Sequence, residues 1–318
     1  MTCIVIAHRG ASGYRPEHTL EAYRLAIALG TDYIEPDVVV TTDEVPVARH
    51  ENEISATTDV ADHPEFANRL ATKDINGRRV TGWFIEDFTL AELRTLRARE
   101  RMPALRSHNQ LYDDQFTIPT LTEILELART ESARLGRPIG VYPEIKLPAY
   151  FATLGLRVAD ATVAQLRRTG SGLPVYLQSF DPKCLRALAE HTTIPLVQLV
   201  GQPSVLLKPW GLREVSTYAQ VLGVHKTLLI PRDHDGRLAE PSGLTERAHD
   251  AGLAVHAWTF RSENTFLPAG MRVGVADSAH GDAASEYAAF LAVGVDGVFT
   301  DHPDMAIAAL AQPATASA

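Results

Sequence analysis

The 318-residue sequence predicts an α/β fold: a TIM-type (β/α)8 barrel with an insertion over its carboxyl-end mouth. Three observations carry that expectation. Short apolar, β-rich runs alternate with helical patterns, the rhythm of a parallel sheet with helices outside it. The polar residues of chemical interest fall at the ends of those runs, where barrels of this kind build their sites. The length suits one barrel of roughly 250 residues plus insertions.

The strand-like runs, in order, are Ile4 to His8, Tyr33 to Val40, Val45 to His50, Ile139 to Lys146, Val175 to Phe180, Pro195 to Val200, Leu222 to Ile230, Leu253 to Phe260 and Gly297 to Asp301. These are nine candidates for eight places, and Pro195 to Val200 and Leu222 to Ile230 are the doubtful pair. Only Thr41 to Glu44 separates the second run from the third. That is too short for the crossover a parallel pair needs, so the chain either runs back as an extended segment or forms a hairpin. Both routes leave His50 close to Asp37.

Helical patterns cover Leu20 to Leu29, Leu121 to Leu135, Ala152 to Arg168, Pro182 to Glu190, Leu244 to Ala251 and Ala283 to Val293. Thr19, Thr120 and Asp181 are their candidate N-caps. Gly30, Gly170 and Gly252 close helices with the residue that tolerates positive φ. The stretch 52–118 is polar, with one helical piece from Thr89 to Arg97, and reads as an insertion over the barrel mouth within a single domain spanning 1–318. Its aromatics Trp83, Phe84 and Phe88 are candidates for the mouth. Residues 311–318 read as a disordered Ala/Ser/Pro tail.

Composition narrows the function. A hydrophobic content of 45% supports a large core, and a net charge of −9 argues against a general nucleic-acid binder. Cys3 and Cys184 read as buried free thiols. Every apolar stretch is interrupted well short of the ~20 residues a membrane span needs. No amphipathic basic helix is visible to dock the barrel on a bilayer. The N-terminus lacks a basic region followed by an apolar core, which predicts a cytoplasmic protein for the chain as given, or a secreted or periplasmic one if a leader has been removed.

The chemistry sits in a few spacings. Glu35 and Asp37 are two apart, so on a strand they share a side, and Glu144 and Lys146 share that relation. Three carboxylates facing one barrel interior cannot all stay ionised without compensation. A divalent cation held by Glu35, Asp37 and Glu144 solves this, and an all-oxygen set without cysteine points to Ca²⁺ or Mg²⁺ rather than Zn²⁺. His8 and His50, at two strand ends, form a candidate acid–base pair on opposite sides of a phosphorus atom. Arg9 offers a planar fork for phosphate oxygens and Lys146 a point charge. Phe180 and Trp258 are candidates to line an apolar part of the pocket. The run Gly10 to Gly13 is better explained as a tight turn than as a phosphate loop. His63, His108, His191, His225, His234, His249 and His280 carry no motif and are assigned no role.

These residues resemble a known family. His8-Arg9-Gly10, Pro16-Glu17-His18-Thr19, Glu35-x-Asp37, His50 and Glu144-x-Lys146 follow the order of the glycerophosphodiester phosphodiesterases, as do Ser179-Phe180, Trp258-Thr259 and Thr300-Asp301-His302-Pro303. Ile118-Pro-Thr-Leu121 opening a helix is also similar. Many members carry Asn where this chain has His18, and Glu51 stands where the family usually has Asp. The Pro-Glu-His-Thr form, the insertion and Tyr142-Pro143-Glu144-Ile145-Lys146 resemble the larger bacterial periplasmic type, typically calcium-dependent.

The resemblance implies metal binding by Glu35, Asp37 and Glu144, and proton transfer by His8 and His50. It implies phosphate binding by Arg9 and Lys146, with Glu17 supporting that substrate-binding set. The implied substrate is a small glycerophosphodiester, cleaved to sn-glycerol 3-phosphate and an alcohol. Two rivals remain: a lyase that stops at a cyclic phosphate, and a catalytically dead barrel that only binds.

Overall fold

The computed structural model describes residues 3–311. The chain opens with β1 (Ile4–His8) and α1 (Leu20–Ala28), the latter capped by the Thr19 side chain accepting from Ala22 N. β2 (Tyr33–Glu35) and β3 (Asp37–Val40) flank Pro36, which has no N–H to give a ladder. A short turn leads to β4 (Pro46–Ala48), antiparallel to β3 with Val38 opposite Ala48 and Val40 opposite Pro46. The hairpin is therefore the route the chain takes.

Within 52–118, β5 (Ala71–Ile75) and β6 (Arg78–Gly82) form a second hairpin. Its Asn76-Gly77 turn has φ of 53° and 82°, the mirror-image turn this dipeptide favours. α2 (Leu90–Leu93) follows, held by a Thr89/Glu92 capping box and shorter than the helical piece expected from Thr89 to Arg97.

After α3 (Leu121–Leu135) come β7 (Gly140–Val141) and β8 (Glu144–Ile145), split at Tyr142-Pro143. Next are α4 (Pro148–Thr153), α5 (Val158–Thr169), β9 (Leu177–Ser179), α6 (Pro182–Ala189), β10 (Leu196–Val200), α7 (Pro209–Val215) and β11 (Val221–His225). α8 (Leu244–Asp250), β12 (Ala254–Phe260), α9 (Ala283–Ala292), β13 (Gly297–Thr300) and α10 (Pro303–Ala311) complete the chain. Ala311 thus ends a helix, and the rest of the expected tail, 312–318, lies outside the described residues.

Parallel pairing runs from β8 through β9, β10, β11, β12 and β13 to β1 and β2. β2 pairs with β7 and β3 with β8, and backbone bonds continue past both prolines, from Tyr142 N to Ile34 O and from Glu144 N to Pro36 O. β2/β3 and β7/β8 are therefore each one barrel strand, and the barrel closes with eight. The doubtful runs, β10 and β11, both belong to it. The surplus run is Val45 to His50, which lies outside as β4.

Two helix readings change. The pattern from Ala152 to Arg168 is two helices, α4 and α5, separated at Gly155 with φ 77°. Gly170 closes α5 at φ −85°, so positive φ is not its reason. A Cβ there would lie 2.7 Å from Leu166 O, so it is close approach that demands glycine. α7 and α10, both opened by proline, were not anticipated.

The core has two parts. The larger lies between strands and helices, and the smaller fills the barrel with Ile6, Tyr142, Val197, Leu199, Val221 and Phe299, joined by Ile4, Tyr33, Tyr176, Ala254 and Trp258. Among the described residues no helix is long and apolar enough to cross a membrane.

Candidate active site

Strand alternation places the site. Side chains two apart share a face, so each inner-core residue predicts the one above it. Ile6 leads to His8, Tyr33 to Glu35 and Asp37, Tyr142 to Glu144 and Lys146, Tyr176 to Gln178 and Phe180, Val221 to Gly223 and His225, and Phe299 to Asp301. Register sets them level: His8 pairs with Glu35, Asp37 with Glu144, and Glu144 with Gln178. His50 arrives differently. The β3–β4 hairpin returns the chain to the level of Asp37, with Arg49 N donating to Asp37 O at 3.0 Å.

Glu35, Asp37 and Glu144 converge, with a ligand oxygen of each within 4.8 Å of the others, and all three are buried. Little positive charge compensates them. Lys146 Nζ lies 2.9 Å from Glu144 Oε1 and 3.5 Å from Asp37 Oδ1, and Arg9 Nε lies 3.2 Å from Asp37 Oδ2. The three carboxyls divide it unequally. Burial opposes ionisation of Asp37, but Lys146, His50, His18 and Arg9 outweigh it and hold Asp37 well below the usual range. Burial, then Asp37 and Glu144, push Glu35 well above its usual value. Burial, with Asp37 working against Lys146, pushes Glu144 up to about 8. The amide of Gln178 gives Glu35 Oε1 a weak donor at 3.2 Å, and its own oxygen is buried without a partner. A deficit of positive charge and an orphaned buried oxygen beside three hard donors fit a bound divalent cation.

The two histidines are held alike. His8 Nδ1 lies 2.6 Å from Asp301 Oδ1, and His50 Nδ1 lies 2.5 Å from Glu51 Oε1. A carboxylate at Nδ1 leaves Nε2 as the nitrogen facing the cavity. Burial, then the Arg9 charge, push each ring down to about 4, against the pull of its carboxylate.

The cavity is about 150 Å³ and is lined by residues that include His8, Arg9, Glu35, His50, Glu144 and Lys146. Phe180 and Trp258 are on its wall, ring centroids 5.7 Å apart and edge to face. Arg9 has a positive φ of 60°, and its N–H reaches Glu35 Oε2 at 2.8 Å, so backbone as well as guanidinium serves the site.

Glu17 stands behind this layer. Its oxygens are taken by Arg9 at 2.8 Å and by Arg101 at 2.7 and 2.8 Å, so it supports Arg9. Phe84 and Phe88 are fully buried, and Trp83 Nε1 donates to Phe66 O. The insertion uses these aromatics for its own packing, not at the mouth.

The chain matches the glycerophosphoryl diester phosphodiesterase family over residues 8–305. The chain belongs to that family. It is 34% identical to a glycerophosphodiester phosphodiesterase of Arabidopsis thaliana, covering 93% of this chain and 82% of the relative. It is 30% identical to a glycerophosphodiester phosphodiesterase of Haemophilus influenzae, covering 96% and 88%. In fold it is similar to a phosphodiesterase of Oleispira antarctica solved in complex with the product sn-glycerol-3-phosphate, with a TM-score of 0.67, 23% identity and 98% of each chain covered.

For this family member, sequence reasoning left several site residues unassigned. Asp301 and Glu51 stand in the sequence motifs without an assigned role, and Gln178 carries no signal beyond its place in a strand run. His225 was dismissed, yet it lines the cavity with its ring 5.0 Å from Trp258. Its signal was the parity Val221-Gly223-His225. Arg101, Arg106 and Arg261 went unseen. Arg106 and Arg261 reach Asp301 Oδ2 at 2.6 and 2.7 Å.

Proposed function

We propose that this phosphodiesterase-family chain hydrolyses small glycerophosphodiesters to sn-glycerol 3-phosphate and an alcohol, with His8 and His50 moving the protons. One observation carries the reading: two histidines, each anchored at Nδ1 by a carboxylate, line the same cavity as the acidic cluster, Arg9 and Lys146. Glu35, Asp37 and Glu144 would hold one divalent cation, Ca²⁺ ahead of Mg²⁺. Such a cation neutralises phosphate charge and lowers the pKa of a coordinated hydroxyl.

Arg9 and Lys146 bind the phosphate oxygens. The glycerol hydroxyl next to the phosphate attacks phosphorus, and one histidine takes its proton at Nε2. The P–O bond to the alcohol breaks as the other histidine, protonated, gives the leaving oxygen a proton. Water then opens the cyclic phosphate with the two histidines in exchanged roles. Phe180 and Trp258 form the wall the leaving alcohol rests against. Because the metal, phosphate and proton-transfer contacts fall on the glycerol phosphate and only an apolar wall meets the alcohol, the head group is read loosely, and glycerophosphocholine and glycerophosphoethanolamine are both substrates.

Phosphorus NMR of the reaction, with and without chelator, tests the reading. The expected product is a phosphomonoester, formed only with cation present. A cyclic phosphate as end product would make the chain a lyase, and no turnover would make it a binding protein. Faster cleavage of a lysophospholipid than of every deacylated diester would overturn the substrate class alone.

A further inference from the structure

The two histidine-holding carboxylates are themselves held, and both holders come from one short stretch of the insertion. Arg101 donates to Glu51 at 2.6 and 3.0 Å and, with the same guanidinium, to Glu17 at 2.7 and 2.8 Å. Arg106 donates to Asp301 Oδ2 and to Glu263 Oε1, each at 2.6 Å. Its third bond, 2.9 Å to Ser12 O, ties it to the loop that follows His8. Asn109 adds a bond to the same carbonyl at 3.1 Å and one to Glu100 at 2.8 Å. The result is two parallel chains of contact, His50–Glu51–Arg101 and His8–Asp301–Arg106.

The division of oxygens matters. On Asp301, Arg106 and Arg261 use Oδ2 and leave Oδ1 to His8. Arg101 grips both oxygens of Glu51 with its planar fork, and Arg106 and Arg261 meet on one oxygen of Asp301, so each carboxylate is restrained from rotating away from the ring it orients. Neither arginine touches the three clustered carboxylates. Arg106 and Asp301 are both buried, so their bond is shielded from water, whereas Arg101 and Glu51 are each half-buried.

We propose that Arg101 and Arg106 are positioning residues that fix the orientation of His50 and His8 respectively, so that the insertion works as a strap setting both proton-transfer groups. The inference rests on the two-histidine reading above. It assigns the insertion a part in the chemistry rather than in covering the mouth.

The test pairs each arginine with its own histidine. His8→Ala, His50→Ala, Arg101→Ala and Arg106→Ala are assayed on glycerophosphocholine and on a nitrophenyl diester, whose leaving group needs no acid. Each arginine variant should lose about 10–100-fold in kcat, the range for partners of reactive groups, with KM changed little. The decisive expectation is the pairing: Arg106→Ala shows the leaving-group dependence of His8→Ala, and Arg101→Ala that of His50→Ala. Double variants of an arginine and its own histidine should lose no more than the histidine variant alone. Where an alanine variant does not fold, Arg→Lys serves, because one ammonium cannot bridge two carboxylates as a fork does. Wild-type kcat in folded arginine variants, or equal losses on both substrates with no pairing, would overturn the strap while leaving the two-histidine reading standing. Full turnover by the histidine variants would overturn both.

Discussion

His18 Nε2 lies 2.9 Å from Asp37 Oδ2, while its Nδ1 lies 2.8 Å from the Tyr23 hydroxyl. Asp37 is a carboxylate, so the ring donates through Nε2 and accepts from Tyr23 at Nδ1. The ring thereby aims one member of the acidic cluster. His18→Leu removes that donor and should weaken divalent-cation binding by roughly 10–100-fold. His18→Asn keeps a donor, loses Tyr23, and should weaken binding less. Calorimetric titration with Ca²⁺ measures both, and a Leu variant that binds as well as wild type would contradict the role.

The acidic cluster should exchange protons for a cation. Glu35 and Glu144 both have folded-state pKa values above the unfolded 4.5, Glu144 up to about 8. Their stability contribution is full below the unfolded value and is lost as pH rises towards 8. A cation relieves that loss, so its gain in Tm should be larger at pH 8 than at pH 6. Binding at pH 7 should release protons, visible as a buffer-dependent heat, and chelation should reverse both effects. A Tm gain independent of pH would count against the site.

Gly10 follows Arg9 at φ +87°, and a Cβ there would stand 2.7 Å from the Ala22 carbonyl carbon. Gly77 has φ +82° with nothing within 4 Å of its Cβ position. Gly77→Ala therefore measures backbone strain alone, of roughly 1–3 kcal/mol. Gly10→Ala adds a clash with α1 and should cost more in urea unfolding, together with activity. Equal costs would show that the loop yields freely.

His256 sits inside the barrel, 2.8 Å from the Tyr142 hydroxyl, and burial pushes it down to about 4. A depressed folded pKa gives stability that is present above the unfolded value of 6.5 and lost as pH falls through the folded one. The loss between pH 6.5 and 4 should be about 3 kcal/mol. His256→Gln does not titrate, so its stability should fall less steeply over that window. Parallel slopes for the two proteins would exclude His256 as a source.

Much of the barrel was visible in the sequence because each strand buries both faces and so reads as an apolar run. β4 reads the same way for a different reason: it is buried against β3 and α3, so apolar content cannot tell a barrel strand from a covered hairpin arm. The clustered carboxylates were legible through spacing, since period-two geometry acts within one strand. Arg101 and Arg106 were not. They lie in a polar stretch without periodicity, and their partners Glu17 and Asp301 are 84 and 195 residues away. His225 fell between these cases. Its parity was available, but only once β11 was known to belong to the barrel.

The contact between His8 and Asp301 spans 293 positions and crosses the seam where β1 meets β13. During synthesis the first histidine leaves the ribosome long before its carboxylate exists. Pairing across the seam must wait for the final strand, the slow, non-local kind of closure. A chain that stops short of Asp301 therefore lacks the carboxylate that orients His8, and that orientation arrives together with the finished barrel.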